Sequence, residues 1–534
     1  MFGLIGSLFC LGCRDKLSNP QTRKQMESLV REGHVVELRR RLCSRMTFGT
    51  AGLRAEMGAG FACINDLTVI QFVKNMYLFF LCRLARLTAA VMLCKDIPVY
   101  LFSTYVPTPF VPYAVMKYEA AAGVMITASH NRKEDNGYQV YWHNGAQISS
   151  PHDKEILHCI EENTEPWPES WNEHLVESSL LRRDPLEDVC RWYMEELNTI
   201  CFHRELNAKS PLKFVHSSFH GVGHNYVQRA FQQFGFPHPI PVPEQKDPDP
   251  DFSTVSCPNP EEGESVLELS LRLAEREEAH IVVATDPDAD RLAVAERNGN
   301  FGWKVFTGNE LAALLGWWML FNWKEAHPDP ADTEIVYMLA TTVSSKILKA
   351  LTLYRSCPFE TLPGFKWIGK RIHELTKTGK EVIFSFEESI VSTATVVAEM
   401  AAYLHTKNLS LNQQLINIYE MYGYHVSRTS YVLCSDPLTI HTLFSRLRNF
   451  GGPGDYPELC GDYCITHIRD VTTGYDSSQP DKKCMSKHQM VTFTFQNGIV
   501  ATLRTSGTEP KIKYYTEFCA VPGERFVSSI KVSK

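Results

Sequence analysis

The sequence lacks an uninterrupted apolar run long enough to cross a bilayer. A membrane helix needs roughly 18 apolar residues, whereas segment 311–323 is too short and segment 76–93 is interrupted by Arg83 and Arg86. The apolar N-terminus, residues 1–13, has neither the basic residues nor the small-residue cleavage site of a secretory signal. We therefore expect a cytosolic protein with no membrane partner.

The sequence also has no excess of positive charge. It contains 54 Lys and Arg residues against 61 Asp and Glu residues, for a formal net charge of −7. A mildly acidic chain offers no electrostatic footprint for duplex nucleic acid. Hydrophobic residues make up 44 % and charged residues 22 % of the 534 residues, which excludes a disordered or collagenous protein. The length allows roughly three to five domains.

Closely spaced cysteine pairs are scarce as well. The 16 cysteines are scattered, and the two closest pairs, Cys10 with Cys13 and Cys460 with Cys464, have no second pair at zinc-finger spacing. We interpret both pairs as coincidental, because a structural zinc site needs four ligands. Scattered thiols are typical of a protein from a reducing compartment.

Short β-branched runs alternate with helical patterns through much of the chain. Strand-like runs at 123–127, 212–216, 281–284 and 381–385 are separated by stretches such as 265–278, where leucines recur at i, i+4 spacing. This alternation predicts an α/β fold with largely parallel sheets.

The sharpest motif is a group of three carboxylates, Asp286, Asp288 and Asp290, directly after a strand-like run. Side chains at i, i+2 and i+4 of a loop can converge on one cation, and an all-oxygen set suits Mg²⁺ or Ca²⁺. An EF-hand is excluded, because Arg291 replaces its glycine and Arg297 its final glutamate. Ligand sites in α/β sheets lie beyond the carboxyl ends of strands, so we favour a metal site over a solvated acidic turn.

Ser129 also follows a strand-like run, in the segment Thr127-Ala-Ser129-His130-Asn131. A serine at a strand end is presented at the same edge as the acidic loop and can act as a nucleophile. The segment is not the esterase elbow, because Thr127 and Asn131 replace its two glycines. Taken alone, an ordinary turn of serine and asparagine is the more common explanation.

Three further segments carry residues suited to phosphate or sugar hydroxyls. The segment 504–511 combines Arg504 with small hydroxyl residues and a glycine, so its backbone N–H groups can surround an anion. Glu387 follows a strand-like run and can accept hydrogen bonds from hydroxyls, and Lys366 lies beside aromatic residues. Each is as easily an ordinary turn, a charged loop or a covered apolar surface. Together with Ser129 and the acidic loop, they indicate phosphoryl transfer on a phosphosugar.

These motifs, in this order, resemble the α-D-phosphohexomutase superfamily over nearly the full length of the chain, and within it the phosphoglucomutase-2 branch. The resemblance is carried by the segments 48–54, 127–131, 286–291, 364–367, 386–390 and 504–513. It implies four domains around a central cleft, of which three are related α/β domains and the fourth is a smaller C-terminal α+β domain. The boundaries we expect are a leader and helix at 1–44, domains at 45–210, 211–325 and 326–428, and a shortened C-terminal domain at 429–534.

The resemblance also implies roles for individual residues. Ser129 would carry the phosphoryl group beside His130, and Ser129 with the three aspartates would hold Mg²⁺. Arg54 and Arg291 would steady the phosphoserine loop. The residues implied to bind the phosphosugar are Gly364, Lys366, Glu387, Ser389, Arg504, Thr505, Ser506, Gly507 and Thr508.

The activity implied for this branch is transfer of a phosphoryl group from 1,3-bisphosphoglycerate, through Ser129, to glucose 1-phosphate. The product would be glucose 1,6-bisphosphate, made by a monomer with weak phosphoglucomutase activity. Segment 131–136 and Ser389 favour this synthesis over the alternative, a phosphoglucomutase or phosphopentomutase that interconverts sugar 1-phosphates with 5- or 6-phosphates.

The chain also departs from the family pattern. A strand expected between 71 and 81 is missing, a loop after Ile390 is shortened, and Gln139 stands where a lysine commonly transfers protons. Because glutamine is not a base at neutral pH, His130 or Lys133 would have to replace that lysine. A catalytically impaired protein that keeps the fold is therefore a further alternative, since loss of a core strand exposes sheet edges.

Overall fold

The computed structural model describes residues 19–46, 52–73, 83–299, 302–329, 335–352, 357–387, 394–434, 436–478, 489–506, 511–520 and 522–523. The chain divides into two compact units. One consists of Met1–Thr307 with Ser389–Tyr403, and the other of Gly308–Glu388 with Leu404–Lys534.

Helices and strands alternate along most of the chain. The helices are α1 (Pro20–Arg31), α2 (Val35–Leu42), α3 (Asp66–Val73), α4 (Arg83–Leu93), α5 (Phe110–Lys117), α6 (His152–Glu162), α7 (Leu175–Ser178), α8 (Leu186–Leu197), α9 (Arg204–Ala208), α10 (Gly223–Gln233), α11 (Glu264–Arg276), α12 (Gly308–Ala326), α13 (Ile347–Thr352), α14 (Phe365–Lys377), α15 (Ala394–Thr406), α16 (Leu411–Tyr422) and α17 (Pro437–Arg448). The strands are β1 (Leu53–Glu56), β2 (Val99–Tyr100), β3 (Ala122–Ile126), β4 (Asp135–Trp142), β5 (Arg182–Arg183), β6 (Phe214–Ser217), β7 (Ile240–Pro241), β8 (Ile281–Thr285), β9 (Leu292–Arg297), β10 (Trp303–Val305), β11 (Val336–Thr341), β12 (Cys357–Thr361), β13 (Glu381–Phe386), β14 (His425–Leu433), β15 (Leu459–Cys460), β16 (Tyr463–Asp470), β17 (Tyr475–Asp476), β18 (Met490–Phe495), β19 (Ile499–Thr505) and β20 (Lys511–Cys519).

The first unit contains a three-stranded antiparallel sheet of order β1-β4-β3. Val124 of β3 and Val140 of β4 are fully buried in a core that also includes most of α4. Residues from Leu87 to Leu93 in α4 are all buried, and Thr88 is the only polar residue among them. The burial of β3 fixes the position of the Ser129 segment that follows it.

The first unit also contains a mixed sheet of order β10-β9-β8-β6-β7. All five residues of β8 are buried, which suits its β-branched sequence. β8 is parallel to β6 and antiparallel to β9. The connection from β8 to β9 spans only residues 286–291, which is too short for the crossover that parallel strands need. We call this connection the metal loop.

The second unit contains a parallel sheet of order β12-β11-β13 and an antiparallel sheet whose main order is β14-β20-β19-β18-β16-β15. Helix α12 is buried along most of its length. Helix α16 begins with a capping box, in which Ser410 and Gln413 bond each other's backbone N–H, and such a box satisfies two donors that the helix leaves unpaired.

The predicted α/β fold is confirmed, and the strand-like runs correspond to β3, β6, β8 and β13. The expectation of largely parallel sheets is wrong for β1-β4-β3, because the short connection 127–134 joins antiparallel neighbours. The C-terminal sheet is antiparallel, as the α+β domain expected there allows. We expected a strand of the family pattern to be missing between residues 71 and 81. Most of that segment lies outside the described residues, which resume after residues 74–82. Among the helices that the structure describes, none is both long and apolar enough to cross a membrane.

Candidate functional site

Ser129 lies directly beyond β3 and is buried, with 6 % of its surface exposed. Its φ of 56° is in the left-handed region, and its N–H donates a hydrogen bond of 2.8 Å to Oγ1 of Thr127. Its hydroxyl donates to Oδ2 of Asp286 at 2.8 Å and lies 3.1 Å from Nδ1 of His130. The serine is therefore not in an ordinary exposed turn, because its oxygen contacts an acid and a potential base.

The three aspartates of the metal loop converge as predicted. One carboxylate oxygen from each of Asp286, Asp288 and Asp290 lies within 4.8 Å of the others. Oδ1 of Asp286 accepts hydrogen bonds from the N–H groups of Asp290, at 3.0 Å, and Arg291, at 2.8 Å. Ala289, with φ of 54°, lets the loop turn tightly enough for these bonds.

The donor set fits a hard divalent cation. Within the described part of the chain, Oδ1 of Asp288 and Oδ1 of Asp290 are buried and have no hydrogen-bond partner. Buried carboxylate oxygens without partners are costly, and a cation that prefers oxygen ligands would satisfy both. The chemistry of the loop thus supports the predicted metal site over the solvated acidic turn.

The crowding of these carboxylates changes their titration. Burial, together with the charges of Asp288 and Asp290, raises the pKa of Asp286 well above its ordinary value. Burial and Asp288 likewise raise the pKa of Asp290 to about 7. Three acids so placed repel each other in an apolar setting, and a bound cation would relieve that repulsion.

Two threonines with no role predicted from the sequence hold Asp288 in place. Oδ2 of Asp288 accepts hydrogen bonds from Oγ1 of Thr108 at 2.8 Å and from Oγ1 of Thr127 at 3.1 Å. The N–H of Thr108 also donates to the carbonyl of Asp288 at 2.9 Å. The sequence signal that could have identified Thr108 is its position between Pro107 and Pro109, because flanking prolines restrict the backbone that presents its side chain.

Two arginines lie beside the site. Nη1 of Arg54 is 3.4 Å from Oδ1 of Asn131, two residues beyond Ser129. Arg291 pairs with Glu261, and its Nε lies 4.0 Å from Oδ2 of Asp286.

Gln139, which stands at the position of the family lysine, and the two candidates for the role of that lysine have different surroundings. Gln139 is buried and accepts hydrogen bonds from Tyr141 and Gln147. Lys133 is exposed, and its ammonium group lies 3.0 Å from Asp251. Of the predicted substitutes, His130 is therefore the one in contact with Ser129.

The second unit contains the other described candidates. Gly364, with φ of 118°, immediately precedes α14, and Lys366 is buried with its ammonium 5.2 Å from the centre of the Trp367 ring. Glu387 directly follows β13 and is half-buried.

Arg504, Thr505 and Ser506 lie at the end of β19, where the chain turns back into β20. Nε and Nη2 of Arg504 donate to the hydroxyl of Tyr515 at 3.1 and 2.9 Å, and Ser506 N–H donates to the carbonyl of Lys511. Ser389, Gly507 and Thr508 lie outside the described residues.

Comparison with known proteins places this arrangement in a family. A profile described as phosphoglucomutase/phosphomannomutase, alpha/beta/alpha domain I, matches residues 79–167, and the profile of domain II matches residues 191–299. The chain is 65 % identical over 551 residues to glucose 1,6-bisphosphate synthase of Homo sapiens, covering 95 % of this chain and 89 % of that protein. It is 51 % identical over 558 residues to phosphopentomutase of Homo sapiens, covering 96 % of this chain and 91 % of that protein.

A solved structure has the same fold at low sequence identity. A phosphoglucomutase/phosphomannomutase family protein from Burkholderia thailandensis is 14 % identical, with a TM-score of 0.60 over 89 % of this chain and 94 % of that one. The fold, the convergent aspartates and the sequence identity agree: this chain belongs to the phosphoglucomutase/phosphomannomutase family.

Proposed function

We propose that this chain synthesises glucose 1,6-bisphosphate, passing a phosphoryl group from 1,3-bisphosphoglycerate through Ser129 to glucose 1-phosphate. The observation that carries the proposal is the contact of the Ser129 hydroxyl with Asp286 and His130, at 2.8 and 3.1 Å. The similarity to the synthase from Homo sapiens supports the choice of substrates.

In the donor step, Oγ of Ser129 would attack the phosphorus of the acyl phosphate. A bond forms between Oγ and phosphorus, the bond from phosphorus to the acyl oxygen breaks, and 3-phosphoglycerate leaves with that oxygen in its carboxylate. The serine proton would pass to His130 or Asp286, the two groups within hydrogen-bond reach. Asp286 also orients the hydroxyl, which limits the conformations that must be lost before attack.

Asp286, Asp288 and Asp290 would hold Mg²⁺ together with the phosphorylated Ser129. When bound, the ion supplies positive charge that offsets the phosphate and the charge developing on the transferring group. Arg291 stands at the same loop and contributes a permanent positive charge, while Arg54 binds the serine segment through Asn131.

In the acceptor step, the 6-hydroxyl oxygen of glucose 1-phosphate would attack the phosphorus of the phosphoserine. A bond forms between that oxygen and phosphorus, the bond from phosphorus to Oγ of Ser129 breaks, and the proton of the sugar hydroxyl would return to Oγ through His130 or Asp286. We propose that residues 504–508 bind the phosphate that is not transferred. Gly364, Lys366, Glu387 and Ser389 would contact the sugar or its phosphate. Binding energy from a remote phosphate can orient the reacting hydroxyl without contacting it. The four-domain boundaries given above belong to the same proposal.

A monomer acting in the cytosol on these substrates is also part of the proposal. The 11 cysteines whose side chains the structure describes are free thiols.

A phosphopentomutase is the second candidate function, because relatives of that name share about half of the sequence. The two candidates differ in what becomes of the bisphosphate. A synthase releases it, whereas a mutase returns one phosphate to the serine and releases an isomerised monophosphate.

The two candidates are separated by the products formed from each acceptor. The purified chain is incubated with Mg²⁺ and 1,3-bisphosphoglycerate, and then with glucose 1-phosphate or ribose 1-phosphate in parallel. We expect glucose 1,6-bisphosphate to accumulate, and Ser129→Ala to abolish it while the exposed-site control Ser178→Ala does not. Rapid formation of glucose 6-phosphate or ribose 5-phosphate without bisphosphate would favour the mutase, and no product from any acceptor would favour the impaired protein.

A further inference from the structure

Residues 218–222, which we call the strap, connect β6 to α10 and lie against the metal loop. The N–H of Val222 donates a hydrogen bond of 2.8 Å to the carbonyl of Pro287, which separates the first two aspartates of the loop. A Cβ at Gly221 would lie 2.2 Å from both the Cα and the carbonyl oxygen of Pro287. Only glycine allows so close an approach of the two backbones.

A second glycine contacts the same segment from the start of α10. A Cβ at Gly223 would lie 2.4 Å from Oγ1 of Thr285 and 3.4 Å from Cβ of Ala289. The two glycines therefore meet Thr285, Pro287 and Ala289, which are alternate residues of the chain that carries the aspartates. Contacts at three alternate positions restrict both the position and the orientation of residues 285–289 relative to the strap.

The strap itself has an unusual backbone. Phe219 has φ of 45° and His220 has φ of 62°, so two consecutive bulky residues are in the left-handed region that such side chains avoid. Phe219 is completely buried in the core of the sheet that contains β6 and β8. Strained conformations of this kind persist where surrounding contacts over-determine them, and they cluster where a position matters for function.

His220 provides contacts that hold the strap in this conformation. Its Nε2 lies 2.7 Å from Oγ1 of Thr254, its N–H donates to the carbonyl of Gln245 at 3.0 Å, and its carbonyl accepts from the N–H of Asp249 at 3.0 Å. The residue is buried, with 5 % of its surface exposed. The ring and the backbone of His220 thus fasten the strap to one neighbouring loop.

We propose that Gly221 and His220 are positioning residues for the metal loop. The strap sets the spacing of Asp286 and Asp288, so that one divalent cation can take an oxygen from each. This inference rests on the proposed function in one respect, namely that a cation binds at these aspartates. It adds that the affinity of the cation depends on residues that do not touch it.

The experiment measures Mn²⁺ binding to the full chain by electron paramagnetic resonance, with a thermal melt of each variant. Partners that orient metal ligands typically change metal affinity about 10–100-fold when altered. We expect Gly221→Ala to raise the Mn²⁺ dissociation constant about tenfold or more, and His220→Asn to raise it by less, because the glycines that contact the metal loop remain in place. Asparagine tolerates the left-handed backbone but is too short to reach Thr254.

Gly316→Ala is the matched control. Its Cβ would lie 2.4 Å from the side chain of Leu348 in the second unit, so the variant disturbs packing within that unit. We expect it to lower the melting temperature while Mn²⁺ affinity stays that of the parent. For Gly221→Ala we also expect saturating Mg²⁺ to restore much of kcat, because the defect lies in cation affinity.

Unchanged Mn²⁺ affinity in a folded Gly221→Ala would overturn the proposal, and so would an equal loss of affinity in Gly316→Ala. If Gly221→Ala does not fold, unchanged affinity in His220→Asn overturns it instead. A parent chain that binds no Mn²⁺ would contradict the cation site, and with it the proposed function, whereas normal binding in the parent confines any failure to the strap.

Discussion

The hydroxyl of Ser129 and the carboxylate of Asp286 are joined by a hydrogen bond of 2.8 Å, although 157 residues separate them along the chain. Asp286 is completely buried, and its second oxygen is held by two backbone N–H groups of the metal loop. The bond therefore connects the candidate nucleophile of one sheet to the candidate cation site of another, and the first prediction tests it.

Asp286→Asn removes the negative charge while keeping the shape of the side chain. We expect phosphoryl transfer to Ser129 to slow by about 100-fold or more, the magnitude typical of losing one preorganised electrostatic contact. Fold stability without metal should not fall, because a buried carboxyl with a raised pKa gains little from its charge. The rate of label incorporation from 1,3-bisphosphoglycerate measures the effect, with the exposed-site variant Asp188→Asn as control. An Asp286→Asn chain that is labelled as fast as the parent would contradict this prediction.

Thr108→Val removes the hydroxyl that donates to Asp288 at 2.8 Å and changes the side chain little in shape. A hydrogen bond to a charged group contributes about 1.5–3 kcal/mol, so we expect Mg²⁺ to bind about tenfold more weakly. Calorimetric titration of Mg²⁺ measures this change. Thr199→Val is a suitable control, because that hydroxyl bonds only to a helical carbonyl in an exposed place. Equal Mg²⁺ affinity in the two variants would show that Thr108 does not position Asp288.

His130→Asn removes the imidazole that lies 3.1 Å from Ser129 Oγ. We expect kcat to fall about 100-fold, the range typical of losing a general base. Lys133→Ala should change kcat less than about twofold, because its ammonium is directed to Asp251 and is not a base at neutral pH. Steady-state rates of the two variants decide between them. A large loss in Lys133→Ala with none in His130→Asn would assign proton transfer to the lysine.

His216 gives a pH dependence of stability outside the site. Burial, with a smaller contribution from His224, lowers the pKa of His216 to about 3, and in the described structure neither ring nitrogen has a hydrogen-bond partner. The unfolded chain binds a proton near pH 6.5, so below that value the unfolded state takes up protons that the folded state does not. We expect stability to fall as the pH drops from about 6.5 toward about 3, and to fall less in His216→Leu. Urea unfolding at several pH values measures this, and identical slopes in both chains would refute it.

Local patterns predicted much of the fold. Strands β3, β6, β8 and β13 follow from short β-branched runs, whose preference for extended structure does not depend on distant residues. The convergence of Asp286, Asp288 and Asp290 followed from their spacing in one short loop. Strand direction was harder to predict, because it depends on which strands become neighbours, and β3 and β8 both have an antiparallel neighbour next in the chain.

The contacts that complete the site join residues that are distant in sequence. Thr108 contacts Asp288 across 180 residues, and Gly221 contacts Pro287 through backbone atoms that carry no sequence signature. Glycines and threonines have many structural roles, so their types alone do not indicate such contacts. The choice of His130 over Lys133 likewise needed the position of Asp251.

The central claim is that Ser129 carries the phosphoryl group between donor and sugar. The most direct measurement is peptide mapping of the chain after incubation with 1,3-bisphosphoglycerate labelled in its acyl phosphate, with Mg²⁺ present. We predict a single labelled peptide containing Ser129, which loses its label to glucose 1,6-bisphosphate when glucose 1-phosphate is added. A stable label on another residue, or transfer of label to the sugar by Ser129→Ala, would contradict it.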